Sequence, residues 1–315
     1  METNTDRLKE WEEKIREVER EDARILELYI SDPDKVNINL QGRHGQTPLN
    51  VACKLGREEV VQDILCHPNL DVNLANDSGI TPLLTTCFHG YEDIVLMLLG
   101  HQDIQVNKGD PDMETPLMIA CSESNLGIVK LLLDRDDINV NAQNSDNYTA
   151  LMISCLERLE TTTETEIFRN LLDHEEIDIN HTILEGDKYQ NALTMACHMG
   201  MTEVISMLLQ REEIEKTDIN HQAVVDFVMD YKDILTGQSS VMKRYTRKRH
   251  LDIKDARDMR VVIEESVSNN LPDIARWLLK TSGYLFRACS ASAALGVSKN
   301  RFLGGKKHFF QKVPQ

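Results

Sequence analysis

The sequence predicts an all-α solenoid of stacked helix pairs joined by β-turn fingers, and three observations predict it. Thr47-Pro48-Leu49 recurs as Thr81-Pro82-Leu83 and Thr115-Pro116-Leu117, then weakens to Thr149-Ala150-Leu151, each step being 34 residues. An apolar residue followed by Asn runs in parallel at the same 34-residue step, as Ile38-Asn39, Val72-Asn73, Val106-Asn107 and Val140-Asn141. Later copies, Ile179-Asn180 and Ile219-Asn220, follow at steps of 39 and 40. The third marker is an apolar stripe: Val60-Val61 with Ile64-Leu65, Ile94-Val95 with Leu98-Leu99, Ile128-Val129 with Leu132-Leu133, Ile167-Phe168 with Leu171-Leu172, and Val204-Ile205 with Leu208-Leu209. Agreement of independent markers in one phase identifies an internal repeat. One helix pair cannot bury such a stripe alone, whereas stacked neighbours can.

The elements follow in chain order. Residues 1–30 read as a charged N-terminal helix and cap, the helix covering 5–30, which gives a solenoid the polar end it needs. A coiled-coil partner helix is the sharper reading of the same stretch, though no heptads are sustained. Residues 31–221 hold five clear repeats. In each, Thr-Pro opens a short first helix, because proline at the first helical position loses no hydrogen bond there. Gly56, Gly90 and Gly200 end that helix in a left-handed cap. The second helix is amphipathic, with apolar residues at i, i+1, i+4 and i+5. The Asn-bearing extended segment follows, then a polar turn such as Asn76-Asp77-Ser78-Gly79. Fingers centred near Gly45, Gly79, Met113 and Asn147 result.

Leu151 to Leu193 spans 42 residues, 8 more than the repeat. Five of these fall near Glu160–Glu166, expected between helices, and three lengthen a finger at Leu184-Glu185-Gly186-Asp187. Residues 222–284 read as a degenerate repeat, interrupted by a basic loop, and a divergent capping repeat containing Ile274-Ala275-Arg276-Trp277-Leu278-Leu279. Residues 285–315 fit no repeat and read as a flexible or loosely docked basic tail.

Residues 42–141 closely resemble the ankyrin repeat family: Gly-x-Thr-Pro-Leu-x-x-Ala, a helix-ending Gly, a Val-x-x-Leu-Leu second helix and a closing apolar-Asn. Residues 142–220 match less well, since Ala150 replaces the turn proline and Asn191-Ala192-Leu193 replaces Thr-Pro-Leu. The resemblance implies an L-shaped unit and, for most members, binding of another protein along a concave face. Asp71-Val72-Asn73 and Asp178-Ile179-Asn180 also resemble the acceptor site of ankyrin-directed asparagine hydroxylation. The structural alternative is that each Asn amide bonds the backbone of the finger turn, which accounts for its presence in every unit.

Composition narrows the function. Hydrophobic residues are 41% of the chain and charged residues 28%, which supports a folded core, while only 5% aromatics require that core to be aliphatic. No run approaches the ~18 apolar residues of a membrane span, and the charged N-terminus lacks a signal peptide's apolar stretch. An intracellular protein, cytoplasmic or nuclear, with reduced cysteines is expected. Residues 237–315 carry 16 Lys and Arg against 6 Asp and Glu, leaving 19 against 46 in the rest. An acidic body argues against general nucleic-acid binding, except through the basic C-terminal region.

The candidate chemical centres resolve into packing. Cys53, Cys87, Cys121 and Cys155 lie 34 apart, with Cys197 following at 42. Equivalent atoms of packed helices are about 8–10 Å apart, beyond the ~7 Å limit between Cα atoms of a disulfide, so small apolar fillers are expected. No histidine pair has metal-ligand spacing; Cys197-His198 is adjacent, and His198 is expected to be exposed. No phosphate loop, nucleophile elbow or dinucleotide motif occurs. The expectation is a protein with no catalytic site, no metal and no cofactor. The basic run Lys243–His250 has three readings: an import signal, contact with an acidic partner, or a solvated loop.

The leading functional reading is a non-enzymatic adaptor or scaffold. Phased on the family pattern, its contact residues are Arg43, His44, Gln46, Lys54 and Leu55; Ser78, Ile80, Phe88 and His89; Asp112, Glu114, Ser122 and Glu123; Tyr148, Leu156 and Glu157; Lys188, His198 and Met199. Leu55, Ile80, Phe88, Tyr148, Leu156 and Met199 are apolar at positions expected to be exposed, although Leu55 and Met199 could fold back onto the core. The acidic body favours a basic or mixed apolar-basic protein or peptide partner. The alternative is a nuclear or transcriptional regulator whose basic C-terminal region contacts nucleic acid or acidic partners.

Overall fold

The computed structural model describes residue 24, residues 37–156, 162–185, 188–214, 220, 222–224, 226–227, 266 and 271–281. The charged N-terminal helix (apart from Arg24), most of the degenerate repeat, the basic run at 243–250 and the tail at 285–315 lie outside the described residues. The chain divides into two compact units, Met1–Ile183 and Leu184–Gln315.

The first unit is built from helix pairs in the expected phase: α1 (Pro48–Lys54) with α2 (Glu58–Leu65), α3 (Pro82–His89) with α4 (Glu92–Leu99), α5 (Pro116–Ser122) with α6 (Leu126–Leu133), and α7 (Ala150–Ile153) with α8 (Thr162–Leu172). Each first helix starts on threonine. The Oγ1 atoms of Thr47, Thr81 and Thr115 accept the backbone N–H of Asn50, Leu84 and Met118 at 3.1, 3.2 and 3.3 Å, with proline at the next position. Where Ala150 replaces proline, the Thr149 cap persists but the helix shortens to four residues. First helices pack on first helices and second helices on second helices, making two layers. The second-helix stripes are sealed between them: Val61, Ile64, Ile94, Val95, Leu98, Ile128, Val129, Leu132, Phe168 and Leu171 are buried. Cys53, Cys87 and Cys121 are buried in α1, α3 and α5, Cys155 is buried just beyond α7, and none of the four is in a disulfide.

Between the layers and the next finger runs an asparagine ladder. Asn73 Nδ2 donates to the Asp103 carbonyl at 2.6 Å, and its Oδ1 accepts the Gln105 N–H at 2.9 Å. Asn39 does the same to Asn69 and Asp71, Asn107 to Asp137 and Asn139, and Asn141 to Glu176 and Asp178. Each amide therefore ties its repeat to the following one, rather than to its own finger turn as expected. A primary amide offers donor and acceptor side by side, which matches the backbone of an extended segment lying across it.

The insertion near Glu160–Glu166 corrects another expectation. Its described part, from Thr162, is helical: α8 has 11 residues where α2, α4 and α6 have 8. Lengthening a helix at its N-terminus leaves the register of Ile167, Phe168, Leu171 and Leu172 untouched, so stacking survives.

The second unit, from Leu184, contains most of the longer finger, then α9 (Ala192–Met199), α10 (Thr202–Gln210) and α11 (Pro272–Thr281). The lengthened finger forms a two-stranded hairpin, β1 (Ile183–Glu185) with β2 (Lys188–Gln190), the only sheet among the described residues. Asn191 caps α9 by accepting the Thr194 N–H at 3.0 Å, and donates to Asn220 at 2.8 Å in a buried amide pair. α11 packs against α10. Its Ile274, Ala275, Trp277 and Leu278 are buried, as its recovered second-helix pattern implied, and Asp273 accepts a 2.6 Å bond from Ser206.

Candidate functional site

The fingers of the first unit are made by one local device repeated. Asn76 Oδ1 accepts the N–H groups of Ser78 and Ile80, Asp110 Oδ1 those of Asp112 and Glu114, and Asn144 Oδ1 those of Asp146 and Tyr148, all at 2.9–3.1 Å. Such a turn needs a left-handed residue at its tip. Gly79, Met113 and Asn147 take it, with φ of 76°, 62° and 65°, and Gly45 adopts the same conformation, φ 68°, in the first finger, where Gly42 stands in place of the Asn or Asp. Neighbouring fingers bond through Asp77 N–H to His44 C=O at 2.9 Å and Ser145 N–H to Asp112 C=O at 2.8 Å. Between these two bonds, the equivalent position is Pro111, which has no N–H to give.

The exposed apolar residues fall at or just beyond the first-helix ends. Phe88 leaves 55% of its surface exposed, Leu156 47% and Leu55 40%. Phe88 meets the His89 ring edge-on at 5.3 Å between centroids, and His89 stacks on Tyr91 at 5.5 Å. Tyr91 in turn lies over the Gly56 turn of the preceding repeat, where an added Cβ would come within 3.1 Å of the ring. Phe88 is thus exposed yet braced by its neighbours, a combination that lowers the entropic cost of its burial by a partner.

Of the other expected contact residues, Arg43, His44, Ser78, His89, Asp112, Ser122 and Glu123 are exposed, whereas Gln46, Lys54, Ile80, Glu114 and Tyr148 are half-buried. In the second unit His198 and Met199 are half-buried, not exposed, because they fill the last turn of α9 before the left-handed Gly200. Ile80 and Tyr148 are more covered than expected because they close their own Asx turns against the helix start. Glu157 and the Lys188 side chain lie outside the described residues. Two surface residues were missed by sequence reasoning. Met113, 57% exposed, is carried outward by the left-handed tip. Tyr91 was signalled only by the glycine one repeat before Gly90, whose bare backbone receives the ring.

Charge changes sign along this face of the first unit. The first repeat presents Arg43, His44 and Lys54, and the second presents the aromatic row with one carboxylate, Asp77. The third presents Asp112, Glu114 and Glu123 beside Asp110, and the fourth Asp146, Tyr148 and Leu156. Partial burial, then the Asp110 carboxylate, push the Glu114 carboxyl above its ordinary value; a hydrogen bond from Asn144 opposes this, and Asp112 and Asp146 add to it. Every charge acting on Glu114 is negative.

No helix among the described residues is long and apolar enough to cross a membrane. No curated protein matches the chain. A solved structure, the crystal structure of EF0377, an ankyrin repeat protein, is 23% identical with a TM-score of 0.52, covering 60% of this chain and 98% of that chain. At that identity the likeness speaks for the fold alone. The family model described as ankyrin repeats (3 copies) matches residues 16–110 and 102–183, together more than half of the 315 residues. With the 34-residue phase, the threonine-capped helix pairs and the left-handed fingers, this match establishes that the chain belongs to the ankyrin repeat family.

Proposed function

We propose that this chain is a non-enzymatic scaffold that binds a protein segment along the fingers and first-helix ends of its first unit. Ankyrin repeats are in general protein–protein interaction modules, and the observation that carries the reading here is Phe88. A large aromatic ring, exposed in the second of the four repeats of the unit and braced by His89 and Tyr91, with Leu55 exposed in the first repeat and Leu156 in the fourth, has the character of an interface anchor. The carboxylates of the third and fourth repeats favour a partner with basic or mixed apolar-basic character.

The test compares capture of partners by the full chain and by Phe88→Ala. The substitution should weaken binding by roughly 1–3 kcal/mol and shift stability by less than about 0.5 kcal/mol, as expected of an exposed side chain. A large loss of thermal stability with affinity intact would show that Phe88 serves the core and would defeat the reading.

A further inference from the structure

We propose that the asparagine ladder of the first unit is acid-sensitive: three histidines hold the same residues that the ladder grips, and their protonation loosens the coupling between repeats. Two residues past α2, α4 and α8 stand His67, His101 and His174, and at the same place past α6 stands Arg135. All four are half-buried. The histidine Nδ1 atoms accept the backbone N–H groups of Asn69, Asp103 and Glu176 at 3.3, 3.2 and 3.3 Å. The carbonyls of those same three residues accept the amides of Asn39, Asn73 and Asn141 at 2.7, 2.6 and 2.6 Å. Each of these residues is therefore held twice, by its N–H from its own repeat and by its C=O from the repeat before.

A backbone N–H can only donate, so each of these bonds requires an Nδ1 without a proton. Histidine is the side chain that changes charge between about pH 5 and 8. Protonation sets one N–H against another, and the bond is lost. The charged groups on the stacked turns are Asp63 and Asp71 around His67, Asp103 and Lys108 around His101, Asp136 and Asp137 beside Arg135, and Asp173, Glu175, Glu176 and Asp178 around His174. Among the described residues none of them forms an ion pair with a histidine. These groups neighbour the rings in sequence, so they attend them in the unfolded chain as well and do not offset the lost acceptor. The third turn is the internal contrast. Arg135 holds the Asp137 carboxylate at 2.9 and 3.0 Å and the Leu99 carbonyl at 3.1 Å, and arginine keeps its charge throughout this range. The Asn107 rung, which grips the Asp137 carbonyl, is therefore indifferent to it.

The test follows amide hydrogen exchange of the full chain by NMR at about pH 7.5 and 5.5, on either side of the imidazole range, with rates corrected for the intrinsic effect of pH. The probes are the N–H groups of Asp71, Gln105 and Asp178, which donate to the Oδ1 atoms of ladder asparagines, and that of Asn139 on the Arg135 turn. At the lower pH, opening should be about fivefold more frequent at the first three, the net worth of one hydrogen bond, and unchanged at Asn139. His101→Arg places an arginine two residues before Asp103, as Arg135 stands before Asp137. It should abolish the change at Gln105 and leave it at Asp71 and Asp178. Corrected rates that do not differ between the two pH values would overturn the proposal, as would loosening at Asn139 equal to that at the other three. Both outcomes are read on the unsubstituted chain. A response at Gln105 that survives His101→Arg would overturn the part assigned to histidine.

Discussion

At the scale of single residues, the asparagines that close each repeat have the clearest energetic role. The Asn73 amide satisfies a carbonyl and an N–H of the next repeat at once, in a side chain only 8% exposed. Asn73→Ala leaves both backbone groups short of a partner and should destabilise the chain by roughly 1–3 kcal/mol, read as a lower urea midpoint. Asn73→Asp should also destabilise: it keeps the acceptor for Gln105 but turns a carboxylate oxygen toward the Asp103 carbonyl. If Asn73→Ala melts like the parent, the ladder is not what couples the repeats. The sequence exposed the recurrence of these asparagines but not their partners, since those lie 30 to 37 residues downstream in an extended segment of low periodicity.

At the scale of elements, the turn between the first and second helices decides both stability and the shape of the surface. Gly56 has a φ of 63° with the Tyr91 ring over it, so Gly56→Ala combines left-handed strain with a clash and should cost roughly 1–2 kcal/mol. Because Tyr91 supports His89 and Phe88, partner affinity should fall with it. The third repeat holds Ser124 at the equivalent position with a φ of 55°. Ser124→Gly should therefore stabilise by up to about 1 kcal/mol; chemical denaturation of the two variants side by side checks the sign of both. Helix phase, caps and finger centres were legible because threonine, proline and glycine act locally and recur every 34 residues. The Tyr91 brace and the partial burial of Ile80 and Tyr148 were not, because they depend on what the adjacent repeat or turn places against the side chain. The helical start of α8 was hidden for another reason: the β-branched threonines of Thr161–Thr165 favour a loop reading, and α8's packing against α6 and α7 outweighs that preference.

At the scale of the whole molecule, buried thiols give a global readout of folding. Cys53, Cys87, Cys121, Cys155 and Cys197 are buried and Cys66 is exposed. Among these six, a thiol reagent followed by mass spectrometry should modify Cys66 first and the rest only on unfolding. Burial pushes the thiols of Cys53, Cys87 and Cys155 up, and that of Cys121 up to about 12, from an ordinary value of 9.0. The unfolded chain releases these protons first. Stability is thus intact below about 9 and declines as pH rises from there toward the folded-state values, by about 1.4 kcal/mol per thiol per pH unit. Urea midpoints between pH 7 and 10.5 should show the decline, and Cys121→Ala should reduce its slope; a flat profile would contradict the burial. The asparagine ladder has a consequence for how the chain is made. Its bonds all run forward, from a residue to backbone 30 or more positions later. On the ribosome, at roughly 5–20 residues per second, each amide waits roughly 1.5–6 s for its partner to be synthesised. The array therefore acquires its couplings vectorially, one translated repeat at a time, and a release that truncates the chain within a repeat leaves the asparagine before it unlatched.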